Sequence, residues 1–277
     1  MKRAFFTIML LAAAMLLISS CASLSSNGVG RVKHYTIESE RLPASFDGLK
    51  IAFLSDLHLP SKFTVKRLEK VARYLKSLSP DAVMLGGDYA SSLTAMQTLF
   101  STFSTVKTNY GIYAVSGNHD YRFSSEMKDM ASRNGVALLS DSVAFLVEGS
   151  DSIAVVGVYN PFKPSPAVKH LISTFPDDVF VILLSHTPDY AQDDGVICDV
   201  ALSGHTHGGQ VSFLRIYTPV KNTKYGKRFL RGMNFTDKGV PVITSNGVGT
   251  SRRKVRFCVP SEIIVVSFVQ KRLLLHK

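Results

Sequence analysis

Five short motifs between residues 56 and 210 carry the side chains best suited to metal chemistry. They combine carboxylates, imidazoles and an amide, in the order Asp56-Leu57-His58, Gly87-Asp88, Gly117-Asn118-His119-Asp120, Ser185-His186 and Gly204-His205-Thr206-His207-Gly208-Gly209-Gln210. Mixed nitrogen and oxygen donors suit divalent transition metals with open coordination positions. A lone histidine is usually structural, whereas five histidines in motifs that also supply Asp and Asn side chains indicate one shared site. The motifs therefore predict a metal centre.

Each motif follows a short apolar run that is typical of a buried strand. These runs cover residues 51–54, 82–85, 112–115, 179–184 and 200–202. Continuous apolar runs indicate strands buried on both faces, and ligands collect at the carboxyl ends of parallel strands. Residues two apart on an extended segment point the same way, so Asp56 and His58 can face one cavity, as can His205 and His207.

The elements between and after these runs predict the architecture. Segments 65–78 and 92–103 have helical spacing between the first three strands. Later apolar runs at 143–147, 153–158, 240–244 and 263–268 predict further strands with fewer helices between them, and hence a second sheet. We expect an α/β fold, a layered α/β/β/α sandwich of two mixed β-sheets flanked by helices.

The chain begins with a segment that resembles an export signal. Lys2 and Arg3 precede an uncharged apolar run over residues 4–18, which is shorter than the roughly 20 residues that span a bilayer comfortably. Residues 18–21, Ile-Ser-Ser-Cys, resemble the lipobox of bacterial lipoproteins, in which the leader is cut before a cysteine that is then lipidated.

This segment predicts a signal peptide with lipobox and tether over residues 1–26, lipidation at Cys21 and a single domain over 27–277. Ser, Gly and Asn are frequent in residues 22–33, as in a flexible tether. Because the positive charges stay inside, the body is expected in the cell envelope, outside the inner membrane. An uncleaved signal anchor is the alternative.

Composition excludes several classes of protein. The chain has 277 residues, 45% hydrophobic and 19% charged, which argues against a disordered or collagen-like protein. Three cysteines without a CxxC pair cannot form a disulfide scaffold or a zinc ribbon. Cys198 and Cys258 are expected to be buried thiols, and a disulfide between them is left open. His34, His170 and His276 lie outside the motifs and are expected at the surface or in packing.

A formal net charge of +11 favours anionic partners. Basic residues gather in segments 221–231 and 252–256. A solvated basic face is the commonest meaning of such a pattern, and an exported protein meets phospholipid headgroups and envelope phosphates more often than nucleic acid. No nucleic-acid partner is expected, and nothing in the sequence indicates an oligomeric state.

In order and spacing, the five motifs closely resemble those of the calcineurin-like metallophosphoesterases. Segments 223–231 and 246–251 are also similar to an exported or membrane-associated bacterial branch, typified by cell-wall phosphoesterases and some UDP-diacylglucosamine pyrophosphatases. The resemblance covers about residues 45–268. It implies a hydrolase of phosphoric ester bonds with two divalent metal ions, whether manganese, zinc or iron.

The resemblance also implies a role for each motif residue. It assigns the first metal to Asp56, His58 and His207, the second to Asn118, His186 and His205, and a bridging position to Asp88. A hydroxide bridging the ions would be the nucleophile in direct hydrolysis. His119 would protonate the leaving oxygen or hold the phosphoryl group, and Asp120 would orient its ring.

Three functions are compatible with these residues. The first is an envelope-tethered phosphoesterase, most simply a phosphodiesterase, acting on a lipid or envelope component. The second is a UDP-diacylglucosamine pyrophosphatase of lipid A synthesis, which an external active site would oppose because nucleotide sugars are cytoplasmic. The third is a non-catalytic metal-binding scaffold. Such scaffolds tend to lose ligands, whereas this chain retains Asp88, Asn118 and His119.

Overall fold

A computed structural model describes residues 28–60, 63–160, 162–163, 165–213, 216–251 and 255–271, with Phe6, Thr7 and Met9. The predicted leader and Cys21 lie outside the described residues, except for those three positions. No helix among the described residues is long and apolar enough to cross a membrane.

The strands of the described residues form two six-stranded sheets. They are β1 Arg31–Ser39, β2 Lys50–Leu54, β3 Ala82–Leu85, β4 Ile112–Ala114, β5 Val136–Leu138, β6 Ser142–Glu148, β7 Asp151–Gly157, β8 Phe180–Leu184, β9 Val200–Ser203, β10 Gly232–Phe235, β11 Pro241–Thr244 and β12 Glu262–Gln270. The first sheet has the order β1-β12-β2-β3-β4-β5, and the second has the order β10-β11-β9-β8-β7-β6.

Both sheets are mixed, as the sequence predicts. In the first, β2 to β5 run parallel, and β12 is antiparallel to β2. In the second, β7, β8, β9 and β11 run parallel, while β6 and β10 are antiparallel at the two edges. The parallel strands at the centre of each sheet therefore end at a common edge.

Four helices flank the sheets in the described part of the chain: α1 Val65–Leu78, α2 Leu93–Phe103, α3 Ser124–Arg133 and α4 Pro166–Ser173. One apolar cluster joins α1, α2 and α3 to the outer face of the first sheet, a second lies between the sheets, and a third joins α4 to the outer face of the second sheet. The layers are thus α/β/β/α, and the predicted fold class is confirmed.

The first two helices begin where the sequence predicts. The Thr64 side chain accepts a hydrogen bond from the backbone amide of Arg67, and Ser92 caps α2 in the same way through Ala95. In α1, Leu68, Val71 and Leu75 are buried at helical spacing. The first motif thereby lies between β2 and α1 and the second between β3 and α2, at one edge of the sheet.

The Ser-, Gly- and Asn-rich segment 22–33, whose composition is typical of a flexible tether, overlaps the folded domain from residue 28 onward. Strand β1 begins at Arg31 and pairs with β12 in parallel register, Val29 is buried, and the Nε of Arg67 donates to the carbonyl of Gly28 at 2.7 Å. Residues 28–33 therefore belong to the folded domain, because their backbone is used by the sheet and by α1.

Cys198 and Cys258 are not joined by a disulfide. Cys198 is buried as expected, but Cys258 is only partly buried and lies in a bend before β12 rather than in a strand. Of the histidines outside the motifs, His34 and His170 are exposed, and His276 lies outside the described residues.

Candidate metal centre

The donor side chains follow the ends of five parallel strands. Asp56 lies two residues after β2, and Asp88 and Asn118 follow β3 and β4. His186 follows β8, and the His205–His207 motif follows β9. Since β2, β3 and β4 belong to the first sheet and β8 and β9 to the second, the site joins the two sheets at their carboxyl edges.

Asp88 lies at the middle of the cluster. Its Oδ2 is 3.4 Å from the Nε2 of His186 and 3.5 Å from the Nε2 of His58. The Nε2 of His119 is 4.0 Å from the same oxygen. One carboxylate thus faces both halves of the site, as the bridging role requires.

The remaining donors form two groups on either side of Asp88. On one side, the Nε2 of His207 is 3.2 Å from the Nε2 of His58 and 3.3 Å from Oδ1 of Asp56. On the other side, the Nε2 of His186 is 3.2 Å from Oδ1 of Asn118 and 3.3 Å from Nδ1 of His205. The structure therefore brings together all seven residues that the sequence proposes as ligands.

The buried acids and imidazoles of the cluster fit divalent cations. Potential ligand atoms of Asp56, His58 and His207 lie within 4.8 Å of one another, as do those of Asp56, Asp88 and His186. Oδ1 of Asp56 is fully buried and has no hydrogen-bond partner in the structure. An ionised oxygen buried in this way is costly unless a cation neutralises it, so the donor set suits the metal that its chemistry implies.

Electrostatics keeps most of the imidazoles in the neutral, ligating form. Burial lowers the pKa of His58 to about 4 and that of His205 to about 3, and it lowers the pKa of His207 well below its usual value. Burial also acts on His186, but the negative charges of Asp88 and Asp56 outweigh it and raise the pKa of His186. A cation bound beside Asp88 would take the place of that proton.

One hydrogen bond fixes the ring of His186. Its Nδ1 donates to the carbonyl oxygen of Gly86 at 2.6 Å. In the neutral ring the lone pair is then on Nε2, so the nitrogen that faces the cluster is the one that can bind a metal ion. A loop carbonyl next to the Gly87-Asp88 motif thus orients a donor from the opposite sheet.

Five of the seven donors have a left-handed backbone. Their φ angles are positive: Asp56 54°, His58 50°, Asp88 57°, His205 68° and His207 52°. Such conformations cost on the order of 1–3 kcal/mol for each residue other than glycine and persist only where the surroundings impose them. The strand ends therefore turn sharply to direct their side chains into one site.

Two glycines make room for the carboxylates. A Cβ atom on Gly117 would overlap Oδ1 of Asp88, and one on Gly204 would overlap Oδ2 of Asp56. The backbone must come this close because Oδ2 of Asp56 accepts a hydrogen bond from the amide of His205 at 3.0 Å. Glycine is required at these positions by space and not by its φ angle.

Asp120 does not take the role that the sequence predicts for it, which is to orient the ring of His119. Its fully buried carboxylate accepts hydrogen bonds from the backbone amides of Asp88 at 2.7 Å, Gly117 at 2.8 Å and Tyr89 at 3.0 Å. Burial raises the pKa of Asp120 to about 7. This carboxyl group holds the two loops that carry Asp88 and Asn118 together, and it acts on the site by positioning them.

His119 lies at the open side of the cluster. Its side chain is 47% exposed, and its ring meets that of His58 edge to face at 5.2 Å. The backbone amide of His119 donates to Oδ1 of Asp88 at 2.9 Å. The residue is therefore held by its backbone, while its imidazole faces the space that a substrate would enter.

Arg256, which the basic pattern of segment 252–256 predicts to be solvated, has a structural role instead. The guanidinium donates to the carbonyl oxygens of Asn246 and Gly249, each at 2.6 Å, and its Nη2 is 3.4 Å from Nδ1 of His207. Gly249 in turn donates its amide to the carbonyl of Asp56 at 2.8 Å. Arg256 thus supports the loop behind two donors, Asp56 and His207, through contacts that no local pattern reveals.

A cavity of 290 Å³ lies beside the cluster. It is lined by Phe162, Thr187, Asp189, His205, Asn222, Thr223 and Lys224. The ring of Phe162 meets that of His205 edge to face at 5.4 Å. The cavity joins a candidate metal ligand to the basic segment 221–231.

Residues 49–209 match the family model of the calcineurin-like phosphoesterases, and these residues include every donor described above. The chain belongs to the calcineurin-like phosphoesterase family. Members of this family are hydrolases that act on phosphate esters.

Relatives within the calcineurin-like phosphoesterases include the metallophosphoesterase YkuE of Bacillus subtilis, which is 30% identical over 83% of this chain and 82% of its own length. The UDP-2,3-diacylglucosamine pyrophosphatase LpxG of Chlamydia trachomatis is 26% identical over 80% of this chain and 84% of its own. Among solved structures, phosphopantetheinyl hydrolase PptH of Mycobacterium tuberculosis aligns with a TM-score of 0.45 and 13% identity, covering 73% of this chain and 91% of that one.

Proposed function

We propose that this phosphoesterase hydrolyses a phosphodiester at a centre of two divalent metal ions. Asp56, His58 and His207 would hold one ion, and Asn118, His186 and His205 would hold the other. Manganese, zinc and iron all suit such imidazole and carboxylate donors. The observation that carries the proposal is the position of Asp88, whose Oδ2 lies within 3.5 Å of a histidine from each group.

The metal ions would supply a water of lowered pKa and positive charge for the phosphoryl oxygens. The protein's own residues supply the buried negative charge, the positioning of the loops and a proton donor. Asp88 and Asp56 provide buried negative charge, and Asp120 and Arg256 fix the loops that present it. His119 reaches the open side of the site and can donate a proton from its imidazole to the leaving oxygen.

The test is hydrolysis of a chromogenic phosphodiester and the matching monoester by the full chain, stripped of metal and then given manganese or zinc. We expect metal-dependent turnover of the diester, and loss of most activity and of bound metal in Asp88→Asn, because an amide cannot replace the shared charge. Metal-independent turnover, or an Asp88→Asn variant as active as the parent, would contradict the proposal.

Retention of every donor supports an enzyme and opposes a scaffold. A chain that only assembled with partners would not need a complete donor set with five strained backbones. Two bound metals with no turnover of either chromogenic substrate would indicate a narrow natural substrate or a metal-binding scaffold, which turnover of a natural envelope substrate would separate. Absence of both turnover and bound metal would favour a scaffold that keeps only the fold.

We further propose that the substrate is a lipid or another phosphate-bearing component of the cell envelope. The basic segment beside the cavity suits an anionic substrate, and Lys224 lines that cavity together with His205. The similarity to LpxG favours a second candidate, a pyrophosphate linkage in a lipid-linked nucleotide sugar. Hydrolysis of UDP-2,3-diacylglucosamine, compared with a phospholipid diester of similar chain length, separates the two candidates.

The proposed location is the cell envelope, with the N-terminal segment as a lipoprotein anchor at Cys21. The motif at residues 18–21 supports this proposal. Cys21→Ser is expected to abolish retention in membranes washed with high salt, because the acyl chains would have no attachment point and salt screens any remaining charge contacts with the lipid. If detergent is still required to release the variant, the segment is an uncleaved anchor instead.

A further inference from the structure

A hairpin next to the metal centre exposes large apolar side chains. Phe213, Ile216, Tyr217 and Val220 have exposed fractions of 52, 69, 62 and 56%. Apolar residues on a solvated surface are usually scattered singly, so a group within eight residues marks a contact surface. We call this group the apolar hairpin.

The exposure of the apolar hairpin is fixed by its backbone. The amide of Phe213 donates to the carbonyl of Tyr217 at 2.8 Å, and the amide of Tyr217 donates back at 3.2 Å. At the base, the amide of Ser212 donates to the carbonyl of Phe257 at 2.9 Å, and Arg231 donates to the hydroxyls of Ser212 and Thr218. The side chains are therefore presented outward by an anchored turn.

The hairpin is attached to the metal centre. It begins six residues after His207, and a Cβ atom on Gly209 would overlap the side chain of Thr218. The returning strand of the hairpin thus packs against the segment that carries a candidate metal ligand. Whatever the hairpin contacts is brought close to the site.

Three lysines follow the hairpin directly. Lys224 and Lys227 are exposed and Lys221 is half-buried. The neighbouring Asp189 accepts hydrogen bonds from the Thr223 hydroxyl and the Lys224 amide, so that carboxylate holds the segment's backbone. The apolar hairpin beside a band of positive charge matches the chemistry of an anionic membrane surface.

We propose that the apolar hairpin and Lys221, Lys224 and Lys227 dock on an anionic phospholipid bilayer, with the apolar side chains entering the acyl boundary. Docking would bring the cavity beside His205 next to lipid headgroups. This contact is separate from the proposed N-terminal anchor, and it deepens the proposed function by naming the surface from which the substrate comes. Its test does not depend on hydrolysis.

The chain contains no tryptophan, so a single introduced tryptophan reports on one place only. We would incorporate the full chain carrying Tyr217→Trp into vesicles of phosphatidylglycerol and phosphatidylethanolamine, with and without brominated acyl chains. The matched control is Phe145→Trp, which is also an exchange of an exposed aromatic residue and lies on β6, at the edge of the second sheet opposite β10.

Docking predicts a blue-shifted emission that brominated lipid quenches for the tryptophan at 217, and neither effect for the one at 145. Replacing all three lysines with glutamine should weaken insertion by about a hundredfold, since each charge near an anionic surface contributes about fivefold. Equal quenching at both positions, or none, would overturn the proposal. A blue shift at 217 that needs no vesicles and grows with protein concentration would also overturn it, because a second copy of the chain would then cover the hairpin.

Discussion

His119 is the residue whose role separates chemistry from metal binding. Its imidazole is half-exposed at the open side of the site, whereas its backbone amide bonds Asp88. His119→Ala keeps that amide, so we expect bound metal to survive while kcat falls by about 10²- to 10⁴-fold through loss of proton transfer. Steady-state kinetics and metal analysis of the same preparation measure both effects.

The matched comparison is Asp88→Asn, which replaces the shared carboxylate with a neutral amide. If His119→Ala and Asp88→Asn lost metal to the same extent, His119 would be a ligand and not a proton donor.

Arg256 provides a second test at the scale of single residues. Lysine keeps the charge but cannot reach the carbonyls of Asn246 and Gly249 together, and each carbonyl left without a donor costs about 1–3 kcal/mol. We expect Arg256→Lys to weaken metal binding by about 10- to 100-fold, as is usual when a group supporting a ligand is lost. Titration with metal in an isothermal calorimeter measures the change in affinity.

Arg228→Lys is the control for Arg256, because Arg228 forms an exposed ion pair with Asp237 at 2.6 Å. That variant should bind metal normally, since exposed ion pairs contribute little. Equal effects of the two exchanges would remove the positioning role from Arg256.

The donors could be predicted from the sequence, but the residues that support them could not. Asp56, Asp88 and His186 stand in short local motifs after apolar runs. Asp120 stands in such a motif too, yet its carboxylate bonds amides more than 30 residues away at Asp88 and Tyr89. The contact of Arg256 with the 246–249 loop likewise depends on tertiary structure, which spacing alone does not encode.

At the scale of elements, the turns that follow the strands determine the geometry of the metal centre. The sequence predicts nine of the twelve described strands and the helices α1 and α2 closely, because their apolar positions follow one period throughout. It misses the strands β1, β5 and β10 and the helices α3 and α4. Helix α3 has a polar sequence with only three buried residues, and the side chains of β1 are mostly part-exposed. The left-handed turns at the donors are also hidden, because Asp and His favour positive φ more than most residues do but still adopt it in only a small minority of positions.

Gly204 tests how closely the end of β9 must approach β2. A methyl group there would overlap Oδ2 of Asp56, so we expect Gly204→Ala to displace the carboxylate. A misplacement of about 1 Å at a reacting site costs on the order of 10²-fold in rate. The measurement is kcat with saturating metal.

Gly149→Ala is the control for this element. Gly149 lies in the turn between β6 and β7 with open space around its Cβ position. Its positive φ of 61° makes alanine cost about 1 kcal/mol in stability, with activity intact. Normal turnover in Gly204→Ala would show that Asp56 is not held by the approach of the two strands.

For the whole molecule, the metal centre joins two layers that otherwise meet through an apolar interface. Asp56, His58, Asp88 and Asn118 come from the first sheet, whereas His186, His205 and His207 come from the second. Bound ions would therefore tie the sheets together at their carboxyl edges and neutralise the carboxylates buried there. Removing the ions should destabilise the fold as well as stop the reaction.

The size of that effect follows from mass action. A ligand at a thousand times its Kd stabilises the folded state by about 4 kcal/mol, which for a domain of this size raises Tm by roughly 10 °C. We expect thermal denaturation of the full chain with saturating manganese or zinc to show this increase over the chelated protein. Asp88→Asn should show a much smaller one, because it lacks the charge that faces both donor groups. A parent protein whose Tm is the same with and without metal would show that the two sheets are held by packing alone, and that cations do not bind the donors assigned to them.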